Sequence, residues 1–203
     1  MERSKIRLQI IEYATSAFMA NGVKAVKMDS ISSALGISKR TLYEIFDNKE
    51  VLLEECIVKS QHDYDAMMQQ IYADANGDLL KVLVSIFKFQ VERIMKINPA
   101  LYDDLLLYPE LVKRMERSRN DNDAKIRNFF SEGVKQGIFR DTVNYQLIIE
   151  SFKNHSAAIA SQKLYKRYPM IDLFNSFTMV VFRGLVTESA LKRFEALYNL
   201  QVR

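Results

Sequence analysis

Residues 28–46 read MDSISSALGISKRTLYEIF. The apolar residues of this stretch recur at helical spacing on either side of Gly36, as they do on the buried faces of two short helices. Gly36 suits a left-handed turn that other residues resist, and Ser38 offers an oxygen to the free backbone amides of the second helix. The stretch therefore predicts a helix-turn-helix. The positions that we expect to face inward are Ile31, Ala34, Leu35, Ile37, Leu42 and Phe46.

The opposite face of the second helix is polar, and its side chains suit the phosphates and base edges of a DNA major groove. The candidate DNA-binding residues on and beside this face are Ser38, Lys39, Arg40, Thr41, Tyr43, Glu44 and Lys49. Two short helices around a glycine also occur in helical proteins that bind no DNA, so the spacing alone leaves both interpretations open.

The rest of the chain predicts more helices and no strand. Six glycines and three prolines among 203 residues disfavour a turn-rich β architecture. A hydrophobic content of 48% beside 27% charged residues is typical of a folded globular protein. Three short helices fit residues 1–47, and longer helices follow in residues 48–203. The sequence therefore predicts an all-α fold with a small N-terminal helix-turn-helix domain and a larger C-terminal helical domain.

Charge and targeting signals restrict the function only weakly. The net charge of +4 permits an anionic partner without requiring one. Uninterrupted apolar runs such as residues 179–182 are far shorter than the ~18 residues that a membrane span needs, and we see no export signal. The single cysteine, Cys56, is compatible with a reducing compartment. We therefore expect a cytoplasmic protein without a membrane partner.

The N-terminal segment, over about residues 4–50, resembles the TetR family of bacterial transcriptional regulators. The residues that carry the resemblance are Phe18, Gly22, Ile31, Gly36-Ile37-Ser38, Thr41-Leu42-Tyr43, Phe46 and Asn48-Lys49-Glu50. The resemblance implies a homodimer that places its third helices in adjacent major grooves of a palindromic operator in double-stranded DNA. It also implies repression that a small-molecule effector relieves. In these terms, residues 1–47 bind DNA, and residues 48–203 bind the effector and form the dimer.

The resemblance also implies roles for individual side chains. Tyr43 and Lys49 match family positions that commonly hold phosphate, and the other polar residues of residues 38–46 match the recognition helix. Lys27 stands where the family often has threonine; it can reach a phosphate but cannot cap the second helix through a hydroxyl. Glu44 places an acid where DNA is expected. It can accept a hydrogen bond from a cytosine amino group, or it can repel phosphate and lower non-specific affinity.

Methionine and aromatic side chains form apolar stripes on the helices of residues 60–130. Ordinary core packing accounts for such stripes, and together they can also line a cavity. Because the resemblance implies an effector cavity among these helices, we expect a largely apolar effector there. The candidate effector-binding residues are Tyr64, Met67, Met68, Ile71, Leu83, Phe87, Val91, Ile94, Met115, Ile126 and Phe130.

Residues 169–186 are apolar nearly all round, so one buried face cannot cover them. The preceding helix carries small residues at 156–161, which permit close helix approach. Pairing both helices with their symmetry mates gives a four-helix dimer interface, as the resemblance also implies; burial within one subunit is the alternative. The candidate interface residues are Phe152, Ala158, Ile159, Phe174, Phe177 and Val181. We expect His155 to be a satisfied histidine of this interface or of a pocket.

We find no catalytic constellation in the sequence. Glu54 and Glu55 precede Cys56 and oppose formation of its thiolate. His62 and Asp65 offer two potential metal ligands, which do not make a site. We therefore expect no enzyme, catalytic residue, metal or cofactor. The alternative function is a helical small-molecule-binding or interaction protein without operator binding, and Lys39, Arg40, Tyr43 and Lys49 discriminate between the two.

Overall fold

The computed structural model describes residues 2–120 and 123–199. The helices over these residues, in chain order, are α1 (Glu2–Asn21), α2 (Met28–Ala34), α3 (Lys39–Ile45), α4 (Lys49–Ala75), α5 (Leu79–Lys96), α6 (Ala100–Leu105), α7 (Pro109–Asn120), α8 (Asp123–Lys135), α9 (Tyr145–Ser161), α10 (Met170–Leu173), α11 (Val180–Leu185) and α12 (Glu188–Asn199). A 3₁₀ turn follows α9, and a π-helical segment joins α10 to α11.

The described residues form no strand, and an antiparallel bridge between Phe139 and Val186 is isolated. The predicted all-α fold is confirmed, including the N-terminal helix-turn-helix formed by α2 and α3. No described helix is both long enough and apolar enough to cross a membrane.

The chain divides into two compact units. The first comprises Met1–Met67 and Lys96–Arg114, and the second comprises Met68–Met95 and Met115–Arg203. These units group residues by packing, whereas the boundary expected near residue 47 separates functions. That boundary stays a prediction.

The first unit is built on a core shared by α1, α2, α3 and the start of α4. Of the positions expected to face inward, Ile31, Leu42 and Phe46 are buried, Leu35 and Ile37 are half-buried, and Ala34 is exposed. Ala34 is exposed because it is the last residue of α2, where the chain leaves the helix for the turn. Side chains from a distant stretch of sequence complete this core, namely Leu101, Leu105, Tyr108 and Leu111.

Aromatic rings fill the core of the second unit. The ring centroid of Phe182 lies 4.9 Å from that of Phe87 and 4.6 Å from that of Phe194. A second group joins Phe130 to Phe139, with ring centroids 5.1 Å apart. Phe87 is therefore a core residue of this unit.

Candidate nucleic-acid interface

The turn between α2 and α3 has the geometry expected from Gly36 and Ser38. Gly36 adopts φ +64°, which glycine tolerates without strain, and the Ile37 amide donates to the carbonyl oxygen of Ser32 at 3.0 Å. The Ser38 Oγ accepts a hydrogen bond from the Thr41 amide at 3.0 Å and so caps α3. The predicted turn and cap are both confirmed.

One face of α3 is anchored and the other is open. Leu42 is fully buried and fixes the helix against α1 and α2. Tyr43 is 46% exposed, and the Arg40 side chain is 88% exposed. Since a rigid helix with an open polar face fits a DNA groove, α3 is the candidate nucleic-acid interface.

Both cations at the start of α3 are paired with carboxylates of the same unit. The Lys39 Nζ lies 2.5 Å from the Asp29 Oδ2, and the hydrogen bond to Asp29 raises the pKa of Lys39. The Arg40 Nε donates to the Glu44 Oε1 at 2.7 Å. These pairs are exposed, so they are weak and can be exchanged for contacts with DNA.

Sequence reasoning missed Arg3, which lies beside the end of α3. Its guanidinium donates to the backbone oxygen of Glu44 at 2.8 Å. Arg7, one turn further along α1, lies over the Phe46 ring at 5.4 Å and pairs with Glu55 at 2.8 Å. The basic residues in the first seven positions are the sequence feature that could have indicated this contact.

Lys27 precedes α2 and stays exposed. Lys27 supplies no side-chain cap, but the Ser30 Oγ bonds its backbone: it accepts from the Lys27 amide at 3.2 Å and donates to the Lys27 carbonyl at 2.7 Å. These two bonds stabilise the start of α2. Contact between the Lys27 ammonium and DNA stays a prediction.

Lys49 has a structural role that the sequence did not reveal. From the first residue of α4, its Nζ donates to the carbonyl oxygens of Val23 at 2.9 Å and Val26 at 3.1 Å. The ammonium thus ties α4 to the turn between α1 and α2, and one of its three hydrogens is left for another acceptor. Phosphate binding by Lys49 stays a prediction.

The candidate effector-binding residues differ in burial and in the unit they belong to. Leu83 and Phe87 are core residues, Ile71 and Phe130 are half-buried against that core, and Ile126 is exposed. The half-buried remainder comprises Tyr64, Met67, Met68, Val91, Ile94 and Met115. Tyr64 and Met67 belong to the first unit, and the other candidates belong to the second. Effector binding by these residues stays a prediction.

The six candidate dimer residues are all half-buried within the protomer. The Phe177 ring packs against Phe152 at 5.2 Å and stacks on the His155 ring at 3.8 Å. The His155 Nε2 is buried without a hydrogen-bond partner in the described protomer, and burial lowers the pKa of His155. Since this Nε2 has no partner within the described protomer, the expectation that His155 is satisfied in the dimer interface or in a pocket stays a prediction.

Cys56 has the surroundings of a packing residue. It is buried, burial raises the pKa of its thiol to about 11, and its Sγ lies 3.6 Å from the Ile11 carbonyl oxygen. Such a thiol is neutral and inert near pH 7. In the described ranges no three His, Cys, Asp or Glu side chains gather into a candidate metal site.

The segment that contains this interface is similar to a known family of proteins. The family model for "Bacterial regulatory proteins, tetR family" matches residues 10–56, which include α2 and α3. The HTH-type transcriptional repressor KstR2 of Mycolicibacterium smegmatis is 26% identical over 151 residues, which cover 70% of this chain and 71% of that protein.

Solved structures share the fold. A TetR-family transcriptional regulator from Agrobacterium tumefaciens superposes with a TM-score of 0.70 at 14% identity, covering 91% of this chain and 100% of that one. The ketosteroid transcriptional regulator KstR2 of Mycobacterium tuberculosis gives a TM-score of 0.52 at 18% identity, with 90% and 95% covered. Residues 10–56, with their helix-turn-helix geometry, are thus similar to the bacterial regulatory proteins of the tetR family, and the chain shares the fold of these solved structures.

Proposed function

We propose that this protein is a transcriptional regulator that binds a palindromic operator in double-stranded DNA as a homodimer and represses transcription until a small molecule releases it. The observation that carries the proposal is the exposed polar face of α3, held rigidly by Leu42 and by the Ser38 cap. The Mycolicibacterium smegmatis relative is named a repressor, which favours repression over activation. Operator DNA lies in the cytoplasm, so we propose that the protein acts there.

Arg40, Thr41 and Glu44 face the bases in this proposal, because they extend from the open side of α3. Tyr43, Lys27 and Lys49 hold phosphates, and Lys39 and Ser38 contact whichever acceptor lies nearest the start of the helix. DNA replaces the carboxylates of Asp29 and Glu44 as partners of the two α3 cations. This exchange supports selective binding, since the cations attract DNA less strongly while they are paired.

Dimerisation through α9 and the α10–α11 stretch is supported by incomplete burial. Ile149 is the buried residue of the 17-residue helix α9, and α10 and the π-helical segment have none. Apolar side chains that one protomer leaves half-covered gain burial when a second copy packs against them. The two-fold symmetry then matches a palindromic operator.

Residues 48–203 bind the effector and form the dimer in this proposal, whereas residues 1–47 contact DNA. The effector is a largely apolar small molecule, because the candidate lining residues are methionine, aromatic and aliphatic. Recognition helices must lie about 34–36 Å apart to reach half-sites one turn apart. A ligand that prefers another separation opposes DNA binding, and a coupling of about 1–3 kcal/mol suffices for a switch.

Footprinting tests the operator part. We expect a duplex selected by the protein to show two protected half-sites and to bind two protomers, as measured by sedimentation of labelled DNA. Binding of one protomer to an asymmetric site would contradict the dimeric operator complex.

A cavity-filling substitution tests the effector part. Apolar compounds are first screened for release of the labelled operator, and the active compound is then titrated against Met67→Trp. We expect the variant to resist release while its operator affinity without compound stays within about three-fold of the parent, a change below 1 kcal/mol. Phe87→Trp enlarges a second candidate lining residue, whose side chain lies inside the core, and should resist release in the same way. If Met67→Trp responds as the parent does, the cavity lies elsewhere.

A further inference from the structure

Asp104 is a buried carboxylate far along the chain from the helix-turn-helix. It belongs to α6 and is 7% exposed. Among the residues that the structure describes, the buried polar or charged ones are Ser32 and Asp104. Its Oδ2 accepts a hydrogen bond from the Lys24 amide at 2.7 Å, across 80 positions of sequence. Lys24 lies in the turn between α1 and α2, so α6 holds the backbone of that turn.

Gly22 makes room for this carboxylate. Gly22 adopts φ +81°, and a Cβ there would lie 2.8 Å from the Asp104 Oδ2 and 3.2 Å from the Ala100 Cβ. A side chain at this position would therefore strain the backbone and displace Asp104. The position of the Asp104 carboxylate therefore depends on glycine at residue 22.

Asn98 adds two hydrogen bonds beside this contact. Its backbone amide donates to the Met19 carbonyl at 2.7 Å, and its side-chain Nδ2 donates to the Ala20 carbonyl at 3.1 Å. These carbonyls are at the end of α1, where a helix has no internal partners for them. Residues 98–104 thus fix both the end of α1 and the turn that follows.

We propose that Asp104 is a positioning residue for operator recognition. By holding the Lys24 amide, it fixes the turn between α1 and α2, and with it the placement of α2 and α3 against α1. Base contacts from α3 need their side chains within about 0.5 Å of the productive position, so a shift of the turn weakens DNA binding without removing any DNA contact. This inference rests on the proposed operator binding.

The test compares three variants of the full chain on the selected operator duplex. Asp104→Ala removes the acceptor of the Lys24 amide, whereas Asp104→Asn keeps an oxygen there. Leu111→Ala is the matched control, because Leu111 is 5% exposed in the same core and lies outside the turn. Affinities are measured well below the melting temperature of every variant, and exchange of the Lys24 amide is followed by NMR.

We expect Asp104→Ala to lower operator affinity about tenfold and to speed exchange of the Lys24 amide, while Asp104→Asn and Leu111→Ala stay within about three-fold of the parent. A merely structural role would lower the melting temperature and leave the affinity of the folded protein unchanged. The proposal is overturned if Asp104→Ala binds as the parent does, if Asp104→Asn loses as much affinity, or if Leu111→Ala does.

A further variant and the parent protein separate failure of the positioning role from failure of operator binding. If Asp104→Ala does not fold, Asp104→Ser is compared with Asp104→Asn in the same affinity measurement. The serine side chain is too short for its oxygen to reach the Lys24 amide. A parent protein that binds no duplex would refute the proposed operator binding itself. A parent that binds while Asp104→Ala binds equally well would refute only the positioning role.

Discussion

Arg40 and Tyr43 share the open face of α3 but differ in what they can reach. The forked guanidinium of Arg40 can bond two acceptors of a guanine, whereas the Tyr43 hydroxyl suits a phosphate oxygen. We expect Arg40→Ala to relax base preference at one operator position at a cost of about 1–3 kcal/mol. We expect Tyr43→Phe to weaken specific and random duplexes alike, as measured by fluorescence anisotropy.

Arg127→Ala is the matched control for charge, because Arg127 is an exposed arginine on α8 in the second unit. It should leave both affinities nearly unchanged. An equal loss on specific and random DNA for Arg40→Ala would remove Arg40 from base recognition.

Lys49 is expected to contribute to stability as well as to DNA binding. Lys49→Met keeps most of the side-chain volume but leaves the carbonyls of Val23 and Val26 without their donor. We expect the free energy of unfolding to fall by about 1–3 kcal/mol, as measured by urea denaturation. Lys125→Met, at an exposed position of α8, should leave it nearly unchanged. An unchanged midpoint for Lys49→Met would show that water replaces the ammonium without loss.

For individual side chains, the sequence predicts contacts between neighbouring residues and misses those between distant ones. The turn at Gly36 and the cap at Ser38 follow from neighbouring residues, so both could be predicted. Lys49 and Asp104 bond backbone atoms that lie 23 or more positions away. Their partners depend on how the helices pack, which a motif does not encode.

Helix α8 packs against Phe139 with no space for a side chain at Gly133. A Cβ at Gly133 would meet the Phe139 ring, so Gly133→Ala forces the ring or the helix to move. We expect a loss of about 1–3 kcal/mol in the free energy of unfolding, as overpacking typically produces. Thermal melts followed by circular dichroism measure the change.

Gly184→Ala in α11 is the matched control for packing within one protomer, because a Cβ there meets no atom of the same protomer within 4 Å. It should raise stability by about 0.4–1 kcal/mol, because alanine loses less backbone entropy than glycine on folding. The packing at Gly133 would be contradicted if both variants shifted the melting temperature in the same direction by the same amount.

The elements themselves could largely be predicted, with exceptions that have physical causes. The apolar pattern of residues 169–186 predicts one helix, but Phe174–Met179 is π-helical, and a wider turn is not visible in apolar spacing. Likewise the packing of α6 against the core of the helix-turn-helix depends on long-range contacts that periodicity does not report.

The whole molecule is expected to be a dimer, and an exposed position tests it best. Phe177→Glu should give monomers or insoluble protein, because its carboxylate would be buried without a partner. Since Phe177 also packs within the protomer, Val180→Glu is the sharper variant: Val180 is 62% exposed there. We expect Val180→Glu to be folded and monomeric by sedimentation.

Leu107→Glu provides the control, because Leu107 is 56% exposed and belongs to the first unit, whereas the segments of the expected interface belong to the second. It should remain dimeric. Intact dimers for both Phe177→Glu and Val180→Glu would refute the interface that we propose.

Selection of genomic fragments tests whether the protein recognises an operator. Sheared DNA from the source genome is bound to the parent protein, recovered over several rounds and sequenced, with and without apolar compounds. We expect enrichment of a palindrome whose half-site centres lie about 10–10.5 bp apart or a multiple of that distance, and no such enrichment with the Arg40→Ala, Tyr43→Phe double variant. Failure of the parent protein to enrich any palindrome under either condition would contradict the account.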